Sequence, residues 1–487
     1  MIYFNGAENV FRTQGKQTAG RKMAKGKLKV WQKILIVAGV VAGVAGLCLG
    51  GCCIATAAFR KNYYGKEIAE KVSVGAERKS GALFTENRGI YDKNGNRVLL
   101  KGINIGNYLI QEGWLSVNSL GVKYDKNGNY VKINEDGIIE EYEETYQQEI
   151  DAALASNKNL TAGQIDELWE TYYDGFLNES DFEKIAEVGF NTVRLPMYYR
   201  NFYEGTDENL TLKDNAFTRI DAFLENCKKH NLYAILDMHG LPGGQNGYEH
   251  SGSRTTKFWD NEEYISKTCE LWKAIANRYS NEKSELYDVI ACFDLVNEPE
   301  DEKTNATEKK QFDVQDRMYR AIREVDKEHI VSIAGCWTFD KFPSPEKYGW
   351  ENVIYEIHLY NWNSQTISND LFYFAQDFTH SLAAHDVPYF IGEFTFFDKS
   401  EEWEKWLDEY EKRGWNWCVW TYKAATPGWW DTSWGLYVYK MDLKNEKKKL
   451  DLRTAAYDKI KAEWENVGEK YTETGVLYEV MKKHLSK

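Results

Sequence analysis

From about residue 81 onward, two hydrophobic patterns alternate along the chain. Short runs rich in Val, Ile, Leu, Ala, Cys and Phe read as strands buried on both faces. They fall at Val98–Asn104, Thr192–Pro196, Tyr233–Met238, Val289–Asn297, Ile330–Ile333, Val353–His358, Tyr389–Glu393 and Trp417–Trp420. Between them lie stretches whose apolar positions recur every three or four residues, as on the inner face of a helix. Examples are Asn215–His230, Asn261–Tyr279, Lys309–Val325, Leu371–His385 and Glu401–Lys412. Strand–helix alternation implies right-handed βαβ units and a parallel sheet. Eight units closing on themselves make a single (β/α)8 TIM barrel of the α/β class. An open doubly wound sheet would carry a Gly-rich phosphate turn after its first strand. Gly102-Ile103-Asn104-Ile105-Gly106 does not have that spacing.

Two local features interrupt the alternation. Tyr91-Asp92-Lys93-Asn94-Gly95-Asn96 has the Asn-Gly signature of a tight hairpin and is expected to plug the amino-terminal end of the barrel. The same six residues recur at Tyr124–Asn129, inside an acidic insertion at residues 120–178.

The amino terminus is patterned differently. Residues 1–33 carry eight Lys or Arg and one acid, Glu8. Ile34 to Phe59 then runs 26 residues without a charge. That exceeds the ~30 Å of a bilayer core at ~1.5 Å per residue. The expectation is a membrane-spanning anchor with the basic end in the cytoplasm, or a signal segment. Ala55-Thr56-Ala57 has a small-x-small cleavage pattern, and Leu49-Gly50-Gly51-Cys52 has the form of a lipid-attachment site. Each reading puts the barrel outside the cytoplasm, tethered to the membrane or secreted. Residues 60–82 read as a linker and 83–487 as the barrel domain.

Composition narrows the partners. A net charge of −14 argues against nucleic acid. Aromatic residues make up 15%, with 17 Trp and 32 Tyr, side chains whose flat faces and polar edges suit sugar rings. Of the eight cysteines, Cys227, Cys269, Cys292, Cys336 and Cys418 are scattered in strand-like or helix-like patterns and read as free thiols.

The chemistry collects at the carboxyl ends of the strands, where parallel α/β proteins bind ligands. The stretch Ala291–Pro299 reads ACFDLVNEP, a buried run that stops abruptly at Asn297, Glu298 and Pro299. Other strands end in Arg194, His239, His358 with Tyr360, Glu393, and Trp420. Taken singly, each has a structural explanation as a cap, a core histidine, an ion-pair partner or a rim charge. Together they converge on one rim. Two carboxyls facing each other across a barrel mouth suit glycoside hydrolysis, one protonating the leaving oxygen and one attacking or supporting the anomeric carbon. Separations of ~5–5.5 Å give retention and ~6.5–9.5 Å inversion. Arg194 and Tyr360 beside Glu393 would favour the nucleophile role. Asn297 would bond a sugar 2-hydroxyl. Glu298 would be the proton donor, its pKa raised by the negative partner. No HExxH, GxSxG or P-loop appears, and no metal or cofactor is expected.

These motifs resemble those of glycoside hydrolase family 5, the cellulase family. Asn297-Glu298-Pro299 is similar to its acid/base motif and Ile391-Gly392-Glu393-Phe394 to its nucleophile strand. The resemblance implies retention, with Glu298 as acid/base and Glu393 as nucleophile. It also implies that Arg194, His239, Asn297, His358, Tyr360 and Trp420 belong to the active site. Lys101–Leu109 and His239–Glu249 resemble the exo-β-1,3-glucanase branch more closely. That likeness implies Glu112, Trp114 and Glu249 as substrate contacts, with Glu249 standing where the branch has Asp. The sequence after Trp420, Thr421-Tyr422-Lys423-Ala424, departs from that branch, and both 1,3 and 1,4 linkage stay open. Tyr248, Trp429 and Trp430 are further candidate platforms. A non-catalytic glycan-binding barrel and a glycolipid-directed glycosidase are the alternatives.

Overall fold

The computed structural model describes residues 50–75, 81–118, 145–280, 284–299, 306–335, 337–426, 434–440, 450–473 and 476–487. Eight parallel strands close into a barrel. In chain order they are β1 (Lys101–Asn104), β2 (Thr192–Tyr198), β3 (Tyr233–Gly240), β4 (Ile290–Asp294), β5 (Ile330–Ala334), β6 (Val353–Tyr360), β7 (Tyr389–Thr395) and β8 (Asn416–Val419). Each pairs with the next, and β8 closes on β1 through Trp417↔Lys101 to Val419↔Ile103. All eight overlap the strands expected from the hydrophobic runs, although Val98 pairs with Ile90 in a separate amino-terminal sheet and the first barrel strand starts only at Lys101. The five expected helices are also present, the longest at Glu262–Arg278, where Asn261 caps the first turn by accepting from the Glu263 and Tyr264 amides.

The barrel interior is sealed at the amino-terminal end. Leu83, Ile90 and Leu100 pack with Ile235, Cys292, Ile330, Ile354, Phe390 and Cys418, which lie toward the starts of the strands. Ile90 comes from a small antiparallel sheet whose turn is the predicted hairpin. There Asp92 Oδ1 accepts from the amides of Asn94 and Asn96, and Gly95 takes φ +76°. A larger apolar cluster fills the space between strands and helices. The buried polar side chains Arg194, His239, His358 and Glu393 lie farther along the strands, toward the carboxyl-terminal end of the barrel.

Several expectations change. Strand β4 ends at Asp294, not Asn297. Leu295 and Val296 are buried without extending the strand, and Asn297 and Glu298 sit on a loop. Beyond β8 a small sheet forms from Lys423–Thr426, Tyr437–Lys440 and Thr472–Glu473. The expected linker is docked over residues 60–72, its later part bonding to the hairpin through Val72 N to Gly95 O and Arg97 N to Glu70 O. Arg60 Nε donates to Asp377 at 2.5 Å, and Tyr64 Oη lies 2.7 Å from His380 Nδ1. Tyr63 and Tyr64 pack edge-on against rings of His380 and Trp415, which gives this polar-looking segment an apolar footing. The insertion contributes helices at Gln147–Ser156 and Ala162–Phe176, its earlier part lying outside the described residues. Residues 50–57 are helical and form part of a unit separate from 58–487. Among the described residues no helix is long and apolar enough to cross a membrane. Residues 1–49, including Cys48 and most of the apolar run, lie outside the described residues, as do Cys336, Trp429 and Trp430.

Candidate active site

Arg194 organises the centre. It projects from β2 and is fully buried. Its Nη1 donates to Asn104 Oδ1 and to Glu393 Oε1, each at 3.0 Å, and its Nη2 donates to Asn297 Oδ1 at 3.0 Å. Nε donates to Asp294 Oδ2 at 2.9 Å. Asp237 at 3.2 Å and Glu356 at 3.3 Å complete a shell of four carboxyls around one cation. A single positive charge does not compensate four buried negative ones. Burial pushes Asp237 and Asp294 well above the usual carboxylate range. Burial also acts to raise Glu356, but Arg194 and His358 outweigh it and hold that carboxyl down at about 2.

The nucleophile candidate, Glu393, is held from both sides. Arg194 binds Oε1, and Tyr360 Oη donates to Oε2 at 2.8 Å. His358 stands opposite Glu393 because the β6–β7 register shifts between Ile357 and His358. Without that shift His358 would face Gly392. The slip re-aims one side chain at the mouth, a common use of bulges near active sites. Gly392 is needed there: a Cβ would lie 1.9 Å from Glu356 Oε1 and 2.9 Å from His358 Nε2.

Glu298 lies on the loop after β4 with φ +42°, a left-handed conformation uncommon for a non-glycine residue. Its carbonyl accepts from Asn246 Nδ2 at 2.9 Å, and its carboxyl is gripped by two imidazoles. His358 Nδ1 is 2.7 Å from Oε1 and His250 Nε2 is 2.9 Å from Oε2. This corrects the expected protonation. Burial acts to raise the Glu298 pKa, but His250 and His358 overcome it and hold the carboxyl well below its usual range. The neighbouring carboxylate is outweighed because the imidazoles are in direct contact.

Glu298, His358 and Glu393 offer oxygen and nitrogen atoms that all lie within 4.8 Å of one another. Such a trio has the spacing of a cation site. Here the atoms are already engaged: His358 with Glu298, and Glu393 with Arg194 and Tyr360. The same figure brings a carboxyl oxygen of Glu298 within 4.8 Å of one of Glu393, close to the retaining separation.

Other predicted residues among those described gather near this centre. His239 Nδ1 is 2.6 Å from Asp237, and burial together with Arg194 keeps the ring neutral. Its Nε2 and the Asn297 Nδ2 are buried polar atoms without a hydrogen-bond partner. Both suit sugar hydroxyls. Trp420 stacks on His239 with centroids 5.6 Å apart and an 11° interplanar angle, and its peptide bond to Thr421 is cis. Glu112 accepts from Trp114 Nε1 at 2.8 Å, and burial pushes its carboxyl up to about 7. Glu249 is placed differently from a plain sugar ligand. Its Oε1 accepts from the backbone amides of Trp114 at 3.2 Å and Thr145 at 3.0 Å, so it ties two loops together.

Sequence reasoning missed Asn104, Asp237, Asn246, His250, Asp294 and Glu356. Part of this was recoverable. Side chains two apart on a strand share a face, so Asp237 lies beneath His239 and Glu356 beneath His358. His250 and Asn246 sit on a loop with no period to reveal them.

Comparisons with known proteins bear on this arrangement. The profile of the family described as Cellulase (glycosyl hydrolase family 5) matches residues 144–426. A β-xylosidase of Phanerodontia chrysosporium is 31% identical over 281 residues, 56% of this chain and 50% of that protein. A probable glucan 1,3-β-glucosidase A of Aspergillus fumigatus is 26% identical over 313 residues, 63% of this chain and 66% of that protein. The chain thus spans only 50% to 66% of the length of these two curated relatives. The crystal structure of an endogalactoceramidase superposes with a TM-score of 0.51 at 17% identity, covering 84% of this chain and 85% of that one, a likeness of fold.

Proposed function

The chain belongs to the cellulase family, glycosyl hydrolase family 5, and on that premise we propose that it is a retaining hydrolase of β-glucosidic bonds in 1,3- or 1,4-linked glucan. The observation that carries this reading is the approach of Glu298 and Glu393, at the carboxyl-terminal end of the barrel, to within 4.8 Å. Glu393 attacks the anomeric carbon while Glu298 gives a proton to the departing oxygen. Arg194 and Tyr360 fix the attacking carboxylate, which lowers the cost of aligning it with the C1–O bond. In the second half, Glu298 takes a proton from water, and that water displaces Glu393. His239 and Asn297 offer unpartnered polar atoms to hydroxyls, Trp420 offers a ring face, and Glu112 with Trp114 lines the far side. The glucanases among its relatives support glucan as substrate.

The test is a panel of laminarin, lichenan, carboxymethylcellulose and glucosylceramide, with product lengths and the first-formed anomer read by NMR. A β-anomer from a glucan supports the proposal; an α-anomer, or turnover of none of the glucans, refutes it. Glu393→Ala is expected to lose ~10³-fold or more in turnover, with azide restoring a product of inverted configuration. Export or membrane tethering is supported by the uncharged run Ile34–Phe59 behind a basic flank. Recovery of the full chain in the cytoplasmic fraction of its host would refute it.

A further inference from the structure

Two imidazoles hold Glu298, and they are not equivalent. His358 is within 3.5 Å of three carboxyls: Glu298, Glu356 and Glu393. So enclosed, it stays an imidazolium. His250 is carried by a short turn at Glu249–Ser251, beyond β3, and its side chain is 20% exposed. It touches one carboxyl, Glu298 on the loop after β4. Glu112 beyond β1 and Glu393 of β7 act on it from farther off. His239 of β3 faces it with ring centroids 6.2 Å apart, and Tyr248 stacks on it at 5.8 Å.

A third contact decides what His250 can do. Its Nε2 lies 2.6 Å from Asn246 Nδ2 as well as 2.9 Å from Glu298 Oε2. The Asn246 amide is oriented by two backbone groups. Its Oδ1 accepts from the Tyr248 amide at 3.0 Å, and its Nδ2 donates to the Glu298 carbonyl at 2.9 Å. An N–H of Asn246 therefore faces the ring nitrogen. That nitrogen has one in-plane position, holding either a proton or a lone pair. With a proton it serves Glu298 and crowds Asn246. With a lone pair it serves Asn246, and the proton belongs on Glu298. The two neighbours pull the same proton in opposite directions.

We propose that His250 stores the catalytic proton and hands it to Glu298 when substrate fills the site, acting as a positioning residue for the general acid. The proposal rests on the reading of Glu298 as that acid. In the empty enzyme, solvent at the exposed face of the ring supports the imidazolium–carboxylate pair. Substrate excludes that water, and a dry pair is better off neutral. The Nε2–H bond breaks, an Oε2–H bond forms, and the ring is left with its lone pair toward Asn246. Glu298 then protonates the leaving oxygen as C1–O breaks and the bond from C1 to Glu393 forms. Later it removes a proton from the attacking water and returns it to Nε2, so each turnover ends with the proton where it began. Burial lowers the His250 pKa, but Glu298, Glu112 and Glu393 outweigh this and raise it to about 9, in keeping with a stored proton.

The experiment compares wild type, His250→Asn and His250→Gln on aryl β-glycosides of the glucan that the substrate panel identifies. One series carries a 2,4-dinitrophenyl leaving group and the other phenyl, each followed from acid to alkaline pH. The variants are expected to lose at least ~10-fold more in kcat/KM on phenyl than on dinitrophenyl, with the basic limb of kcat/KM shifted at least ~1 pH unit lower. Equal losses on both leaving groups, or an unmoved limb, would overturn the role of His250. A wild type inactive on both would overturn the hydrolase reading itself. A second readout needs no change at His250. In Glu393→Gln, the ring ¹⁵N shifts of His250 should report an imidazolium in the free protein and a neutral ring with phenyl glycoside bound. An imidazolium in both states would also overturn the proposal.

Discussion

Tyr360 Oη donates to Glu393 Oε2 at 2.8 Å, while Arg194 holds the other oxygen of the same carboxylate at 3.0 Å. The two donors reach Glu393 from β6 and β2 and leave it little freedom to rotate. Tyr360→Phe removes one donor and keeps the ring. A hydrogen bond to a charged group is worth ~1.5–3 kcal/mol, so kcat/KM should fall ~10–100-fold. The ring's stacking on Trp362 survives, so the melting temperature should move little. Steady-state kinetics beside thermal denaturation checks both, and a large loss of stability would show that the hydroxyl serves the fold.

Arg194 poses the opposite case. Its removal leaves Asp237, Asp294, Glu356 and Glu393 in one buried volume without their common cation. Arg194→Met should cost about 3–5 kcal/mol in unfolding free energy, as breaking buried ion pairs does. The loss should grow as pH rises, because more of the four carboxyls must then ionise unpaired. Denaturant unfolding at acid and at alkaline pH measures the trend, and a pH-independent loss would contradict it.

Glu112 carries a stability cost with a defined pH window. Burial raises its carboxyl to about 7, against ~4.3 in an unfolded chain. Between these values the folded chain binds more protons than the unfolded one. The stability from this raised pKa is thus complete below ~4.3 and lost as pH rises through about 7. Glu112→Gln cannot ionise. It should match wild type near pH ~4 and be more stable by on the order of 1–3 kcal/mol near pH ~8. Thermal melts across that range decide it.

Gly392 tests how closely β6 and β7 must approach. An added Cβ would overlap Glu356 Oε1 at 1.9 Å. Gly392→Ala should cost ~1–3 kcal/mol through overpacking and displace His358 from Glu298 and Glu393. Turnover should drop more than the stability change alone explains, which kinetics on the folded fraction would show.

Much of this was legible along the chain. The buried hydrophobic runs marked all eight strands, because a parallel strand covered on both faces is apolar along most of its length. Polar residues ending those runs then stood out: Arg194, His239, Asn297, Glu298, His358, Tyr360 and Glu393. Those on strands follow from alternation and direction, which are local properties, whereas Asn297 and Glu298 stand on the loop after β4 and Arg194 in the middle of β2.

What the chain could not disclose depends on contacts between distant segments. The slip that sets His358 against Glu393 is a matter of how β6 and β7 pair, and pairing has no mark in either strand. Glu249 spends a carboxyl oxygen on two loop amides that only folding brings to it. The charge of Glu298 depends on His250, delivered by a loop from a different strand. Residue order along the chain determines which groups arrive at the rim. Desolvation and charge–charge distance, which exist only once the barrel has closed, decide which of those groups carries the proton.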